Sequence, residues 1–248
     1  MSKSANAWFS MKEGDTIKKL KYYAAGWKES SSTKYMDCFD PSTGEVIAHA
    51  PRCTADEVGE AVAAAKQAFP AWADTPPNKR IQILFRLKAL LDEHLDELTH
   101  LLAAENGKVW NEAMGDVLKV TEVVEFACGI PHLLKGPALM NVTSGYDTLQ
   151  YMEPLGVFAG IAPWNFPAMI PMGWMAPLCV ATGNTFVLKA ASFVPQSAMR
   201  ILELWEEAGL PPGVINLVTC SRNEAELLLS HPDIKGVSFV GSTSVGRH

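Results

Sequence analysis

The apolar positions of this chain follow two patterns, which change near residue 155. Before that point, apolar residues recur every three or four positions over long stretches, as in amphipathic helices packed on a core. From Leu155 onward, short apolar runs alternate with helical stretches. Strands buried on both faces have such runs, and helices connect them in parallel order. The pattern predicts an α/β fold with an open, twisted, doubly wound parallel sheet and flanking helices.

The N-terminal part of the chain predicts little regular structure apart from one pair of strands. Residues 1–33 are polar and mixed in charge, and we interpret them as an N-terminal tail and loop. Strands are expected at residues 35–39 and 45–50, around a turn that contains Pro, Ser, Thr and Gly. Thr54 and Glu57 then have the spacing of a helix-capping box, which predicts the start of a helix.

Two further helices are expected before the sheet region. One covers residues 78–105 and ends at Asn106-Gly107, and the other covers residues 109–128. Their apolar stripes indicate core packing rather than cofactor contacts. The stripe of the first helix consists of Leu84, Leu87, Leu91, Leu95, Leu98 and Leu102. A strand at residues 146–152 follows, and it either forms an ordinary sheet edge or pairs with another subunit.

Residues 154–188 form a run of thirty-five positions without Asp, Glu, Lys or Arg. Such a run can span a membrane, but prolines and glycines divide this one into short pieces. We therefore predict a buried strand at residues 156–162, a sharp turn, a buried helix near residues 167–182 and a second strand at residues 184–189. The alternation continues with a helix at 195–208, a strand at 214–218, a helix at 223–230 and a strand at 235–240.

Composition restricts the classes of function. The net charge is −6 and no basic stripe is visible, so we expect no nucleic-acid partner. The N-terminus has no apolar signal region, which favours a cytoplasmic protein without a membrane segment. The five cysteines and six histidines are widely dispersed, so we expect buried, reduced thiols and no metal site.

Candidate chemistry lies where the predicted strands end, because ligands of open parallel sheets bind at the carboxyl ends of strands. Asn165 sits in the turn after the first buried strand; its amide can donate to a developing oxyanion, or it is simply a turn residue. Lys189 ends the second strand, where it either binds ribose hydroxyls or a phosphate, or only reaches solvent. Gly241 and Ser242 follow the last strand, at a phosphate site or at an ordinary turn.

Six segments of the chain together resemble the aldehyde dehydrogenase superfamily, in order and at family spacing. They lie at residues 40–45, 71–73, 160–167, 182–189, 207–216 and 239–242. The resemblance covers residues 22–248. It is strongest to the CoA-acylating methylmalonate-semialdehyde dehydrogenase branch, through residues 167–171, 231–235 and 237–242.

The resemblance implies a division of the chain into four parts. After the tail and loop of residues 1–33, residues 34–140 would be the helical part of a cofactor-binding domain. Residues 141–153 would form an oligomerisation strand, and residues 154–248 a Rossmann-like αβ part. The family's catalytic domain, with its nucleophilic cysteine, lies downstream of this part and is expected to be absent.

The resemblance also assigns roles to individual residues. Asn165 matches the amide that stabilises the thiohemiacetal oxyanion. Lys189 matches the contact to the adenosine ribose, and Gly241 with Ser242 the pyrophosphate site. The full set of expected cofactor contacts is Ala162, Pro163, Trp164, Lys189, Ser192, Phe193, Gly241 and Ser242.

The sequence departs from the acylating branch at the ribose contact. That branch usually reads Lys-Pro-Ser-Glu-Arg where residues 189–193 read Lys-Ala-Ala-Ser-Phe. The uncharged Ser192 thus replaces the glutamate that grips the ribose diol, so both NAD and NADP stay open as cofactors. Trp164 is typical of the wider superfamily, whereas the branch usually has Phe.

Together these features predict an oxidoreductase that uses NAD or NADP to convert a small aldehyde or semialdehyde to an acyl-CoA or an acid. Methylmalonate semialdehyde is a candidate substrate, CoA a candidate co-substrate and a homo-oligomer the expected assembly. The alternatives are a catalytically inactive fragment that serves as a cofactor-binding or interaction module, and a non-acylating aldehyde dehydrogenase. Because no cysteine lies in the nucleophile's context, we expect residues 1–248 alone to be inactive.

Overall fold

The computed structural model describes residues 7–11 and 17–248. Its strands are β1 Phe9–Ser10, β2 Lys18–Leu20, β3 Tyr22–Tyr23, β4 Trp27–Lys28, β5 Tyr35–Phe39, β6 Val46–Pro51, β7 Ala138–Thr143, β8 Tyr146–Leu149, β9 Val157–Ile161, β10 Thr185–Lys189, β11 Ile215–Val218 and β12 Ile234–Phe239. Its helices are α1 Ala55–Asp74, α2 Pro77–Glu93, α3 Leu95–Asn106, α4 Trp110–Ala127, α5 Ile130–Leu133, α6 Ala176–Ala181, α7 Gln196–Glu207, α8 Arg222–Ser230 and α9 Thr243–Gly246. A π-helical segment, Met169–Met175, leads directly into α6.

A six-stranded sheet forms the centre of the molecule, in the order β12-β9-β10-β11-β3-β4. The strands β9 to β12 pair in parallel, whereas β3 and β4 add an antiparallel edge. Strands β10 and β11 are buried almost throughout, as expected for parallel strands covered on both faces. The predicted α/β class with a parallel sheet is therefore confirmed. A smaller sheet, β1-β2-β6-β5, and the hairpin β7–β8 complete the strand pairings of the described residues.

The winding of the chain creates a switch point beside β9. From β9 the chain steps to β10 and then to β11, while α6 and α7 belong to one apolar core. It then returns through α8, which packs with α1 in a second core, to place β12 on the other side of β9. Crevices that bind ligands form where the strand order reverses in this way. The carboxyl ends of β9, β10 and β12 therefore form the edge at which a ligand is expected.

The elements after residue 155 lie within two residues of their predicted bounds. The uncharged run of residues 154–188 forms a strand, a π-helical and α-helical segment, and a second strand. Its apolar side chains are thus buried in the protein core rather than in lipid. Among the described residues, no helix combines the length and the apolarity that a membrane crossing requires.

Helix α1 begins at the predicted capping box. The Thr54 hydroxyl accepts a hydrogen bond from the Glu57 backbone N–H, and the Glu57 carboxylate accepts one from the Thr54 N–H at 2.8 Å. The two bonds satisfy donors that a helix start otherwise leaves unpaired. Val58 and Val62 of α1 then pack on one face of the sheet.

The single helix expected at residues 78–105 is instead two helices. The prediction was wrong at His94, whose backbone angles (φ −97°, ψ 15°) separate α2 from α3 and whose ring bonds Glu97. The leucine stripe continues across the break, and Leu91 and Leu98 are fully buried on either side of it. Since no Gly or Pro marks the position, the sequence pattern gives no sign of the break.

Residues 17–28 are more ordered than a tail and loop, whereas residues 1–6 and 12–16 of that expectation lie outside the described residues. Over residues 18–28 that expectation was wrong, because β2 joins the smaller sheet while β3 and β4 extend the central one. Leu20 and Tyr23 are buried, and the Tyr23 hydroxyl donates to Glu206 at 3.0 Å. Strands of two or three residues are too short to produce a visible alternation, so the sequence pattern does not predict them.

The strand expected at residues 146–152 is shorter, and it has a partner that the sequence analysis missed. It pairs as β8 with β7 in an antiparallel hairpin that turns at Gly145. Both strands are exposed along their whole length, and Met140 and Tyr146 are among their exposed apolar residues. An isolated two-stranded hairpin is at best marginally stable in water, so its fully exposed surface is unusual.

Candidate functional site

A pocket of about 350 Å³ opens at the carboxyl ends of β9, β10 and β11. Six of the residues singled out in the sequence line it, namely Ala162, Pro163, Trp164, Lys189, Ser192 and Phe193. The sequence analysis missed its other lining residues, which are Met36, Arg52, Ala191, Cys220, Ser221 and Arg222. Strand ends that are remote in sequence thus converge on one cavity, which lies on the β10 and β11 side of the switch point and includes no residue that follows β12.

The turn after β9 is held from two sides. The Ala162 N–H donates to the Lys189 carbonyl at 3.2 Å, which joins the ends of β9 and β10. The Asn106 side-chain amide donates to the Trp164 carbonyl at 2.9 Å. The Trp164 ring is 62 % exposed and lies at the mouth of the pocket. The backbone of this turn is therefore fixed while its side chains stay accessible.

Asn165 lies in this turn with its side chain exposed. Its amide makes no hydrogen bond to any other residue that the structure describes, and it does not line the pocket. An amide of this kind can donate to a ligand without first breaking an internal bond. Asn165 therefore directly follows three residues that line the pocket, Ala162 to Trp164, but its own side chain does not line it.

A buried ion pair between Asp116 and Lys108 contacts the residues that follow the turn after β9. The sequence analysis did not predict it. The Asp116 side chain is fully buried, pairs with Lys108 at 2.7 Å and accepts the Met169 N–H at 2.7 Å. Burial raises the pKa of Asp116, and the hydrogen bond from Lys108 opposes this rise. The Lys108 ammonium also lies 3.9 Å from the Phe166 ring centroid. The one sequence signal was an aspartate between the apolar positions Ala113 and Val117.

Lys189 is largely buried at the end of β10. Burial lowers the pKa of its ammonium group, and the nearby Cys220 partly opposes this effect. Among the described residues, its side chain has no hydrogen-bond or ion-pair partner. A desolvated cation without a carboxylate partner is available to an anionic or hydroxyl-bearing ligand.

Ser192 is buried in the turn that follows β10. Its hydroxyl donates to the Cys220 carbonyl at 3.5 Å, a long and therefore weak hydrogen bond, and its own carbonyl accepts from the Cys38 thiol at 3.4 Å. Because the existing bond is weak, the hydroxyl can turn toward a ligand in the pocket. Phe193 beside it has an exposed side chain at the pocket wall.

A buried carboxylate fixes the far end of this turn, where α7 begins. Glu105 accepts hydrogen bonds from the backbone N–H groups of Gln196 and Ser197 at 2.8 Å each. These bonds take the place of an ordinary cap, because Pro195 makes no side-chain cap. Burial raises the pKa of Glu105 to about 7 despite these donors. The turn of residues 190–195 is therefore fixed at both ends.

Gly241 and Ser242 follow β12 and do not line the pocket. Ser242 caps the short helix α9 by accepting the Val245 N–H at 3.4 Å, and it is exposed. A Cβ atom at Gly241 would come within 2.4 Å of the Phe239 ring, so a larger residue here would force that ring to move. A phosphate contact at this turn stays a prediction.

The five cysteines have the properties of buried structural thiols. Burial raises the pKa values of Cys38, Cys53 and Cys179 to about 12 and that of Cys220 to about 11, and it also raises the pKa of Cys128. A thiol nucleophile needs the opposite shift, because the thiolate is the reactive form. None of the five thiols thus has the lowered pKa of an activated nucleophile. Within the described part of the chain, no three metal-ligating side chains converge.

Comparisons with known proteins agree with this geometry. The sequence profile of the aldehyde dehydrogenase family matches residues 27–248. Malonate-semialdehyde dehydrogenase 1 of Geobacillus thermodenitrificans is 47% identical over 233 residues, which are 94% of this chain and 48% of that protein. The chain thus spans about half the length of the curated relatives it matches.

Solved structures give the same picture. A putative methylmalonate-semialdehyde dehydrogenase from Sinorhizobium meliloti 1021, complexed with NAD, superposes with a TM-score of 0.90 at 38% identity, over 93% of this chain and 47% of that one. A structure described as an E. coli NADP dependent enzyme gives a TM-score of 0.88 at 34% identity, over 92% of this chain and 47% of that one. Similar structures therefore include one bound to NAD and one described as NADP dependent.

Proposed function

Because the chain belongs to the aldehyde dehydrogenase family, we propose that it is the cofactor-binding part of an NAD- or NADP-dependent dehydrogenase. Its substrate would be a small semialdehyde of the malonate or methylmalonate type. The pocket at the carboxyl ends of β9, β10 and β11 supports this best, because six expected cofactor contacts line it together. The substrate class is suggested by the names of the similar proteins, which are semialdehyde dehydrogenases.

The residues of the pocket fit the adenosine half of a dinucleotide. Its volume of about 350 Å³ lies in the range of small-molecule sites, and its position at the carboxyl ends of parallel strands supports a nucleotide ligand. Lys189 and Ser192 would hold the ribose, while Pro163 and Trp164 would contact the cofactor at the pocket wall. When bound, the nicotinamide of such a cofactor accepts a hydride from the substrate.

Asn165 would act on the substrate rather than on the cofactor. Its exposed, unpaired amide suits the stabilisation of an oxyanion, since fixed donors aimed at developing charge lower the barrier. Asn106 and the ion pair of Asp116 with Lys108 would position it by holding the backbone on either side. These three are positioning residues in this proposal, because none of them reaches the pocket.

The nucleophilic thiol of the proposed reaction would not be one of the five cysteines of residues 1–248, because burial raises their pKa values. The whole enzyme would form a thiohemiacetal on a cysteine outside these residues. Loss of a hydride to the nicotinamide would oxidise it to a thioester, and transfer of the acyl group to CoA would then free the cysteine thiol. The exposed hairpin β7–β8 would be covered in a homo-oligomer, which explains apolar side chains such as Met140 and Tyr146 at its surface.

Titration with NADH tests the cofactor proposal. Trp164 lies in the pocket, so binding should quench tryptophan fluorescence and excite the dihydronicotinamide by energy transfer. Replacing Lys189 with Ala should weaken binding by about tenfold or more, the loss expected for a hydrogen bond to a charged group. The exposed Lys79, which lies outside the pocket, provides a matched Lys→Ala control. Equal affinity of both variants would contradict the proposed site.

A second candidate function is that of a cofactor-binding or interaction module without catalysis. The burial of four of the five thiols and the exposed hairpin favour it. It shares the nucleotide site with the first candidate, so NADH binding does not separate the two. Turnover does, when the part of a full-length relative that this chain does not match is added as a second polypeptide.

A further inference from the structure

Two of the five cysteines share one apolar core. Cys53 lies just before α1 and Cys220 just after β11, and both side chains are buried in the cluster that α1 covers. Cys38 and Cys128 belong to the other core of the molecule, and Cys179 packs against that core. Cys53 and Cys220 are therefore the pair of thiols that the fold brings to the same place.

Hydrogen bonds hold the backbone segments of these two cysteines together. The Cys53 N–H donates to the Thr219 carbonyl at 2.8 Å, and the Thr219 hydroxyl donates to the Pro51 carbonyl at 2.6 Å. Thr219 directly precedes Cys220 and is fully buried. Backbone segments joined in this way lie about 4.8 Å apart, and a disulfide bond needs Cα atoms roughly 4.4–6.8 Å apart. The spacing of the two segments therefore suits a disulfide bond between Cys53 and Cys220.

The two thiols also interact electrostatically, but an oxidant reaches them to different degrees. Burial raises the pKa of Cys53, and the charge of a Cys220 thiolate raises it further. Burial also raises the pKa of Cys220, to about 11, but the nearby Lys189 ammonium opposes this rise. Cys220 lines the pocket at the strand ends, whereas Cys53 does not. A small oxidant that enters the pocket therefore meets Cys220 first.

We propose that Cys53 and Cys220 form a reversible disulfide bond when the protein meets hydrogen peroxide. The Cys220 thiolate attacks one peroxide oxygen, the O–O bond breaks, and the departing hydroxide takes up the proton that the thiol released. This step oxidises the sulfur by two electrons to a sulfenic acid and reduces the peroxide. The Cys53 sulfur then attacks the Cys220 sulfur, the S–O bond breaks, and the oxygen leaves as water with the Cys53 proton. Two thiols and one peroxide thus give one disulfide and two waters.

The bond would join two parts of the pocket wall. Arg52, the neighbour of Cys53, and Ser221, the neighbour of Cys220, both line the pocket. Because the bonded residues are far apart in sequence, the bond also restricts the unfolded chain, and the oxidised protein should be more stable than the reduced one. The raised pKa values leave little thiolate at neutral pH, so oxidation should be slower than that of an exposed thiol.

Mass spectrometry of the oxidised protein tests the proposal. Folded residues 1–248 are incubated with hydrogen peroxide, unfolded in N-ethylmaleimide to block the remaining thiols, and digested without reduction. We expect one cross-linked pair of peptides, Cys53 with Cys220, and blocked thiols at the other three cysteines. Dithiothreitol should restore all five thiols, and the oxidised protein should unfold at a higher urea concentration than the reduced one. Blocked thiols at both positions, a bridge through Cys38 or a bridge between two molecules would overturn the proposal.

Single variants test the order of the two steps. In Cys53→Ala the Cys220 sulfenic acid lacks its partner thiol, so dimedone should label Cys220, whereas Cys53 should stay unlabelled in Cys220→Ala. Cys128→Ala, in the other core, is the matched control and should leave the bridge unchanged. Dimedone on Cys53 rather than Cys220 would contradict the assigned order.

Oxidation of the unmodified protein in urea is the second control. It should give several different pairs of cysteines, because only the fold brings Cys53 and Cys220 together. The same single pair in urea would show that the folded geometry does not direct the reaction. If a variant fails to fold, which circular dichroism reveals, the peptide map of the unmodified protein still decides the proposal.

Discussion

The buried carboxylate of Asp116 accepts a hydrogen bond from the backbone N–H of Met169 at 2.7 Å. This bond connects helix α4 to the start of the π-helical segment, four residues after Asn165. With the ion pair to Lys108, it links the helical part of the chain to the turn that carries the proposed oxyanion donor.

Replacing Asp116 with Ala should therefore destabilise the protein strongly. The change leaves the Lys108 ammonium and the Met169 N–H without their partner, and breaking a buried ion pair costs about 3–5 kcal/mol. Urea denaturation followed by fluorescence measures the loss. The exposed pair of Lys88 with Asp92 provides the control, because Asp92→Ala should change the free energy of unfolding little. Similar losses of unfolding free energy in the two variants would show that burial does not make the Asp116 ion pair more stabilising than an exposed one.

The stability of the protein should depend on pH through Glu105. Burial raises the pKa of Glu105 to about 7, from an ordinary value of 4.5. Between these values the folded state binds more protons than the unfolded state, so the free energy of unfolding falls as the pH rises from 4.5 to 7. The stabilisation from this group is complete below pH 4.5 and lost above pH 7.

The variant Glu105→Gln should lack this dependence. Relative to the unmodified protein, it should gain about 3 kcal/mol of stability between pH 4 and pH 8, since one pKa unit corresponds to about 1.4 kcal/mol. Chemical denaturation of both proteins at several pH values measures the difference. Glu93→Gln, at an exposed position of α2, is the control. Parallel pH profiles for the unmodified and Glu105→Gln proteins would refute the assignment.

The polypeptide of residues 1–248 should not oxidise aldehydes on its own. Its five thiols are protonated at neutral pH because burial raises their pKa values. We expect no NADH or NADPH from propanal or methylmalonate semialdehyde, with or without CoA. A thiol-reactive dye should also label the native protein slowly and the unfolded protein quickly. Turnover that disappears on mutation of one of these cysteines would disprove this prediction.

Changing Ser192 to Glu should shift the cofactor preference toward NAD. Ser192 predicts an NAD:NADP affinity ratio near one, because it neither grips the ribose diol nor repels a phosphate. A carboxylate would restore both effects and weaken NADP binding relative to NAD. Calorimetry with both dinucleotides measures the ratio, and Ser144→Glu in the hairpin turn controls for the added charge. An unchanged ratio would place residue 192 away from the ribose.

The hairpin β7–β8 should mediate self-association. Placing Asp at Met140 and Tyr146 introduces charge into its exposed apolar surface and should convert larger species to monomers. Sedimentation velocity at several concentrations shows the distribution of species. Phe85→Asp, at another exposed apolar position on α2, is the control. A monomeric unmodified protein that binds no dye for apolar surface would contradict the prediction.

Part of the pocket lining was predictable from one rule, that ligands of open parallel sheets bind where the carboxyl ends of the strands meet. The ends of β9 and β10 were expected at the same edge, and Lys189 indeed lines the pocket there, whereas Asn165 does not. Ala162 and Ser192 also line the pocket, but only the family resemblance had predicted them. The same rule applies to Cys220 and Arg222, which follow β11, although the sequence analysis did not use it there. Arg52 follows a strand of the other sheet and reaches the pocket only through tertiary packing. A sequence pattern does not predict a contact between residues that only tertiary packing brings together. The ion pair of Asp116 with Lys108 was missed for the same reason.

The pairing of Tyr23 with Leu217 has a consequence for the synthesis of the protein. The ribosome produces β3 early, but its partner strand β11 leaves the ribosome nearly 200 residues later. At about 5–20 residues per second, β3 waits at least about ten seconds for the strand that completes its sheet. During that time its apolar residues are exposed on the nascent chain. Chaperones that bind early nascent chains would therefore protect this segment more than any later strand of the sheet.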